Sequence, residues 1–125
     1  MFFTRTLLQA TKITTGLTGI SVQPNARPLL IETYNSTLTA LSRLPANAAY
    51  RQATENITKT RLSVVESTES VEEIEAKIGC GQIEEVLLQA KDELKLVGQM
   101  EEWKPWEALE TPVPEGQWVY PGNKD

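Results

Sequence analysis

The stretch QIEEVLLQAKDELKLVGQMEE, residues 82–102, decides the fold class because its apolar residues recur at helical spacing. Their intervals of mostly three and four positions place them on one face of an α-helix. This face consists of Ile83, Val86, Leu87, Ala90, Leu94 and Val97. The other faces carry Glu84, Glu85, Lys91, Asp92 and Lys95. The stretch therefore predicts an amphipathic helix roughly 30 Å long, at 1.5 Å of rise per residue.

Two further helices are expected before this one. The first begins at Pro28, since proline fits the first turn of a helix, and ends at the Leu44–Pro45 step. The second begins after Asn47, a residue type that caps helix N-termini. The expected inward face of the first helix consists of Leu30, Tyr34, Leu38 and Leu41. That of the second consists of Tyr50, Ala53, Ile57 and Val64, with Arg51, Glu55, Lys59 and Arg61 pointing outward.

A third, short helix is expected to begin at Ser70, because Ser70 and Glu73 have the spacing of a capping box. Its apolar stripe consists of Val71, Ile74 and Ile78. No segment alternates in the manner of a strand, so the sequence predicts an all-α fold. We expect a helical bundle of three to four helices over residues 28–102. A flexible basic N-terminal segment, residues 1–27, precedes it, and an extended Trp/Pro-rich C-terminal tail, residues 103–125, follows it.

The composition argues against catalysis. The 125 residues include no histidine and one cysteine, Cys80, which removes the commonest general base and excludes an intrachain disulfide. Neither the phosphate-loop spacing nor the dinucleotide-binding glycine pattern occurs. We therefore expect no catalytic residue, no metal ligand and no cofactor site. Cys80 lies between two glycines, and two interpretations stay open: a small residue that fills a turn, or a redox-sensing thiol.

Charge is distributed unevenly along the chain. The net charge is −5, yet the first 31 residues contain three basic side chains and no acidic one. A basic, hydroxyl-rich, acid-free opening is typical of a mitochondrial import signal, although an ordinary basic N-terminus has the same composition. Its cleavage is left open. The acidic remainder argues against nucleic acid as a partner, since phosphate contacts need a basic face. No apolar run is long enough to span a bilayer.

The last 23 residues differ in character from the predicted bundle. They contain all three tryptophans and four of the seven prolines, a composition that ends a helix and favours extended or turn structure. Disordered tails are usually poor in aromatic residues. Two interpretations are therefore open: the tail folds back as a strap over the bundle, or it lies on a partner, where tryptophan is enriched at binding hot spots.

Several blocks of sequence resemble one family of accessory subunits. The run LPANAAYR at residues 44–51 resembles the LPxNAAYR signature of the α-subcomplex subunit 5 family, or 13-kDa B family, of mitochondrial NADH:ubiquinone oxidoreductase (complex I). Further similar blocks, in the same order, are TTGL at 14–17, GQIEEV at 81–86, QA at 89–90, EWKPWE at 102–107 and QW at 117–118. The blocks extend from about Thr14 to Tyr120. The long extension before Thr14 departs from shorter members of the family.

The resemblance implies a non-catalytic, supernumerary subunit of respiratory complex I, built as a helical bundle and free of flavin, iron–sulfur cluster and quinone site. It implies a peripheral position on the matrix side of the mitochondrial inner membrane. The implied partners are other complex I subunits, chiefly the 30-kDa core subunit of the quinone module, and the implied role is support of assembly and stability. The expected partner-docking residues are Tyr50, Arg51, Trp103, Pro105, Trp106 and Trp118.

Two alternatives of other classes remain at this point. One is a free matrix adaptor, a helical protein that binds a soluble partner through its C-terminal tail. The other is a thiol-based redox enzyme that uses Cys80.

Overall fold

The computed structural model describes residues 12–122 and contains four α-helices in this range. They are α1 (Ala26–Leu41), α2 (Ala49–Ser67), α3 (Val71–Ile78) and α4 (Ile83–Trp103). No strand occurs among these residues, so the predicted all-α class is confirmed. The stretch at residues 82–102 forms α4 to within one residue at each end, and α1 begins two residues before the expected Pro28. The part of the expected import signal that precedes Lys12 lies outside the described residues.

The bundle is organised around α1, which packs against both α2 and α4, while the short α3 contacts α2 and α4. Two apolar clusters result. The main core consists of Ala26, Leu30, Tyr34, Val65, Ile74, Ile83, Val86, Leu87 and Ala90. The far core, where α1 ends and α4 approaches its last turns, consists of Leu41, Leu44 and Val97. Burying each such leucine or valine stabilises the fold by about 1.5–3 kcal/mol. In residues 12–122, no helix is both long enough and apolar enough to cross a membrane.

The predicted inward face of α2 is wrong by one position. The buried residues of this helix are Thr54, Thr58 and Val65, whereas Ile57 is 56% exposed. The prediction rested on the most apolar stripe of the helix, but two threonines of α2, Thr54 and Thr58, face inward and line a cavity. Arg61, expected to point outward, is half-buried beside the same cavity.

Short connections set the helix boundaries. The expected cap Asn47 is not used: Ala48 is the N-cap of α2, and its N–H donates to the Pro45 carbonyl at 3.1 Å. Ser70 does stand at the N-cap of α3, although its side chain makes no capping hydrogen bond. Gly79 ends α3 in the left-handed region at φ 71°, a conformation that glycine adopts without a Cβ clash.

Two carboxylates satisfy the free N–H groups at the start of α4. Glu75 of α3 accepts from the Ile83 N–H at 2.9 Å, and Glu85 accepts from the Gln82 N–H at 2.8 Å. Negative charge at a helix N-terminus also interacts favourably with the helix dipole. Glu75 and Glu85 therefore fix the junction between α3 and α4.

The lead-in from Lys12 to α1 packs on this same junction, contrary to the expectation of an unpacked segment. Lys12 Nζ lies 2.6 Å from both Glu84 Oε2 and Gln82 Oε1. The Gln82 amide in turn donates to the Thr15 carbonyl at 2.6 Å. Glu84, expected on an outer face of α4, is 3% exposed. Burial raises the pKa of its carboxyl, but the hydrogen bonds from Lys12 and from backbone N–H groups outweigh burial and lower it.

Arg27 joins the beginning of α1 to the end of α2. Its Nε donates to the carbonyls of Val65 and Thr68, at 3.1 and 3.0 Å, and its Nη2 donates to the Glu66 carbonyl at 3.2 Å. These acceptors belong to the last turn of a helix, where carbonyls have no intrahelical partner and a cation is favourable. The guanidinium therefore caps α2.

Candidate docking site

The C-terminal segment leaves α4 through a tight turn. Lys104 adopts the left-handed conformation at φ 51°, and its N–H donates to the Met100 carbonyl at 3.0 Å. The next turn is closed by the Glu107 N–H, which donates to the Lys104 carbonyl at 3.1 Å. Pro105 lies within this turn, where its missing N–H costs nothing. The turn directs the following residue, Trp106, onto the bundle.

Trp106 is the residue through which the tail packs on the bundle. Its ring is half-buried and packs against the far core formed by Leu41, Leu44 and Val97. All other residues from 103 to 122 are exposed. The contact of Trp106 is therefore the one expected if the tail folds back as a strap over the bundle.

The remaining apolar side chains of the segment face solvent. We call them the apolar tail: Trp103, Leu109, Val113, Trp118, Val119 and Tyr120. The exposed fraction is 63% for Trp103 and 96% for Trp118. Trp118 also has a positive φ of 62°, which is uncommon for a large residue. Large apolar side chains concentrated on one exposed segment are typical of a surface that a partner covers.

Tyr50 and Arg51, by contrast, are engaged within the chain. The Tyr50 hydroxyl donates to Glu93 Oε1 at 2.5 Å; burial, and then this hydrogen bond, raise the pKa of the tyrosine. The Arg51 guanidinium donates to the Leu44 carbonyl and, at 2.8 Å, to Glu55 Oε1. Arg51 thereby closes the connection between α1 and α2, whereas Tyr50 joins the start of α2 to α4.

The expected docking residues therefore fall into two groups. Tyr50 and Trp106 pack together against the far core, and Arg51 fixes the adjoining turn. Trp103, Pro105 and Trp118 are exposed. The LPANAAYR block consequently has a structural explanation in this chain. It supplies the buried Leu44 and Ala48, the Arg51 guanidinium that bonds across the turn, and the Tyr50 hydroxyl that bonds Glu93 of α4.

The sequence patterns did not predict the contacts of Tyr50 with Glu93 and of Lys12 with Glu84. Glu93 is one of many acidic residues on α4, and nothing local distinguishes it from its exposed neighbours. Glu84 gives a weak signal, because it belongs to the GQIEEV block that resembles the family pattern. A pairing across 72 positions with Lys12 has no local sequence signature.

Several known proteins are similar in sequence to this chain. The family described as "ETC complex I subunit conserved region" matches residues 19–85. NADH dehydrogenase (ubiquinone) 1 alpha subcomplex subunit MCI4 of Candida albicans is 50% identical over 113 residues, covering 90% of this chain and 81% of that protein. The probable subunit 5 of Arabidopsis thaliana, described as mitochondrial, is 47% identical over 82% of this chain and 60% of its own length.

The corresponding subunit 5 of Bos taurus is 44% identical over 110 residues, covering 88% of this chain and 95% of its own. Identity at this level across fungal, plant and animal proteins exceeds what shared helical composition produces. The chain therefore belongs to the complex I accessory-subunit family called NADH dehydrogenase (ubiquinone) 1 alpha subcomplex subunit 5.

Proposed function

We propose that this accessory subunit acts by docking: its apolar tail binds the matrix-side peripheral arm of complex I near the quinone module, chiefly the 30-kDa core subunit, and thereby supports assembly and stability. The observation that carries the proposal is the exposure of Trp118, at 96%, on a segment whose neighbouring tryptophan is anchored to the bundle. Electron transfer from NADH to ubiquinone belongs to other subunits in this account.

The free energy released when a partner buries the apolar tail is large enough to anchor a subunit. Burying one tryptophan removes about 150–250 Å² from water, which at about 25 cal/mol per Å² is worth roughly 4–6 kcal/mol before the costs of association. The four prolines between residues 103 and 122 restrict the unbound segment, so the segment loses less conformational entropy when it binds.

Trp106 connects this docking segment to the folded body. Its contact with the far core means that a partner bound to Trp103 or Trp118 is held at a defined end of the bundle. The segment from 103 to 122 also carries three acidic residues and one lysine. We therefore expect the partner surface to be an apolar cleft with basic residues at its rim, since complementary charges favour the correct partner.

The proposal is tested by replacing single tail residues in mitochondria that lack the endogenous subunit. Trp118→Ala should lower the amount of the chain in the complex I band of a native gel, while the purified variant keeps the melting temperature of wild type. A hot-spot truncation typically weakens binding by about thirtyfold or more. Leu88→Ala, which removes an exposed apolar side chain from α4, is the matched control and should assemble normally.

Normal assembly of both Trp103→Ala and Trp118→Ala would contradict docking through the tail. The alternative of a free matrix adaptor uses the same exposed tail but predicts a different partner. It would be favoured if the wild-type chain were absent from the complex I band and instead co-migrated with a soluble protein.

A further inference from the structure

A half-open cavity of about 360 Å³ lies between α1, α2 and α4. This volume falls at the lower end of the range for small-molecule sites. Seven of its nine lining residues have polar or charged side chains, among them Tyr34, Thr54, Thr58, Arg61 and Glu93. No residue of the apolar tail lines the cavity. The inward-facing threonines of α2, Thr54 and Thr58, both line it.

The Tyr34 hydroxyl is the buried polar group that lacks a protein partner. Tyr34 is 3% exposed, and its hydroxyl makes no well-formed hydrogen bond in the part of the chain that the structure describes, although the Arg61 side chain lies near enough to lower its pKa. Leaving a buried hydroxyl unsatisfied destabilises the fold, so such a group usually meets a ligand or a water. Burial raises the pKa of this hydroxyl, and Arg61 nearby only partly opposes the rise, so the group is a hydrogen-bond donor at neutral pH.

Arg61 supplies a cation that has no carboxylate partner. Its guanidinium donates to Cys80 Sγ at 3.2 Å and to Gln89 Oε1 at 3.4 Å. A thiol is a weak acceptor, and the amide contact is long. None of the ion pairs formed among residues 12–122 includes this guanidinium. A planar fork of donors beside an unused hydroxyl matches the geometry of a carboxylate.

Glu93, at the far end of the cavity, restricts the charge that a bound molecule can have there. Glu93 follows Gln89 by one helical turn, about 6 Å along α4, and its carboxylate already accepts from Tyr50. A second anionic group would be repelled there. Ile57 and Ala90 form an apolar wall between the two ends.

We propose that this cavity binds a short-chain monocarboxylate, with its carboxylate between Arg61 and the Tyr34 hydroxyl and its alkyl chain against Ile57 and Ala90. Polar cavities of this size otherwise fill with ordered water. The proposal is independent of the docking function, because it uses none of the residues of the apolar tail.

The first test titrates the purified full-length chain with butyrate and follows the melting temperature and the amide spectrum in NMR. We expect a rise of a few degrees at saturating butyrate, since a ligand that binds only the folded state stabilises it. Butyramide, the neutral analogue, and sodium chloride at equal ionic strength should give no such rise. Succinate should bind more weakly than butyrate because its second carboxylate meets Glu93. A butyrate effect no larger than that of chloride would overturn the proposal.

Two matched variants locate the binding. Arg61→Gln and Lys59→Gln each remove one positive charge from α2, but Lys59 lies on the outer face and makes only a long contact to Glu55 at 4.0 Å. Arg61→Gln should weaken butyrate binding by about tenfold or more, the usual effect of losing a charge-assisted hydrogen bond, whereas Lys59→Gln should leave it unchanged. Equal losses in the two variants would show non-specific charge attraction and would contradict the site.

Tyr34→Phe removes the second donor without leaving a hole. Because the hydroxyl is unsatisfied, this variant should fold at least as stably as wild type and yet bind butyrate more weakly. Wild-type affinity in Tyr34→Phe would show that the hydroxyl does not contact the ligand.

Discussion

The Lys12 ammonium lies 2.6 Å from the carboxylate of Glu84, whose side chain is 2% exposed. This pair fastens the lead-in before α1 to the first turn of α4. The lysine itself is 36% exposed, so its charge is partly screened, while the carboxylate depends on its hydrogen bonds for compensation. The N-terminal lead-in is therefore part of the folded body from Lys12 onwards.

Removing the lysine should destabilise the chain more than an ordinary surface substitution does. We expect Lys12→Ala to lower the free energy of unfolding by about 1–3 kcal/mol, since it leaves a buried carboxylate without its cation. Lys59→Ala, which removes a long surface contact, should change it by less than about 0.5 kcal/mol. Chemical denaturation of the two variants measures the difference. Equal effects would show that the Glu84 pair is not a special contact.

The same carboxylate predicts a dependence of stability on pH. The folded state lowers the pKa of Glu84 below its ordinary value of 4.5. A carboxyl with a lowered pKa stabilises the fold above its unfolded-state pKa, and this contribution is lost as the pH falls through the folded-state value. The difference in unfolding free energy between wild type and Glu84→Gln should therefore shrink below about pH 4.5. A difference that grows on acidification would contradict this assignment.

The cap on α2 provides a third test. Arg27→Ala removes a guanidinium that donates to three backbone carbonyls at the end of the helix. We expect a loss of about 1–2 kcal/mol in unfolding free energy, with faster amide exchange in the last turn of α2. Arg43→Ala is the control, because its contact to Glu101 is long and exposed. Unchanged exchange near Ser67 would argue against capping.

Two of the three tail tryptophans, Trp106 and Trp118, should separate an effect on folding from an effect on docking. Trp106→Ala should lower the unfolding free energy by about 1–3 kcal/mol, because its half-buried ring covers the far core. Trp118→Ala should change the unfolding free energy by less than about 0.5 kcal/mol, because the side chain is exposed. Thermal unfolding of the purified variants measures both values. A destabilised Trp118→Ala would mean that this ring, too, packs on the bundle.

The helices themselves were predictable because the pattern is local. The spacing from Ile83 to Val97 on α4 needs only one apolar face and no knowledge of its neighbours. The inward face of α2 was not predictable in this way. Periodicity rules look for apolar residues, whereas Thr54 and Thr58 are buried and Ile57 is left on the surface. Burial of threonines depends on the cavity that three helices form together.

The candidate site was predictable as a segment but not residue by residue. The composition singled out the tail, since all the tryptophans and most of the prolines lie in it. Which ring turns inward depends on where the chain emerges from α4, and the left-handed turn at Lys104 decides this. Tyr50 and Arg51 were predicted for docking because they belong to the LPANAAYR block. In the structure their hydrogen bonds lead to Glu93, Leu44 and Glu55 of the same chain.

The most direct test of the docking account is photo-crosslinking from position 118 in intact mitochondria. A benzophenone-bearing residue at this position should crosslink to the 30-kDa core subunit of complex I, and the same residue at the control position 88 should not. Mass spectrometry of the crosslinked band identifies the partner. Crosslinks confined to this chain's own helices, or to a soluble matrix protein, would contradict the account.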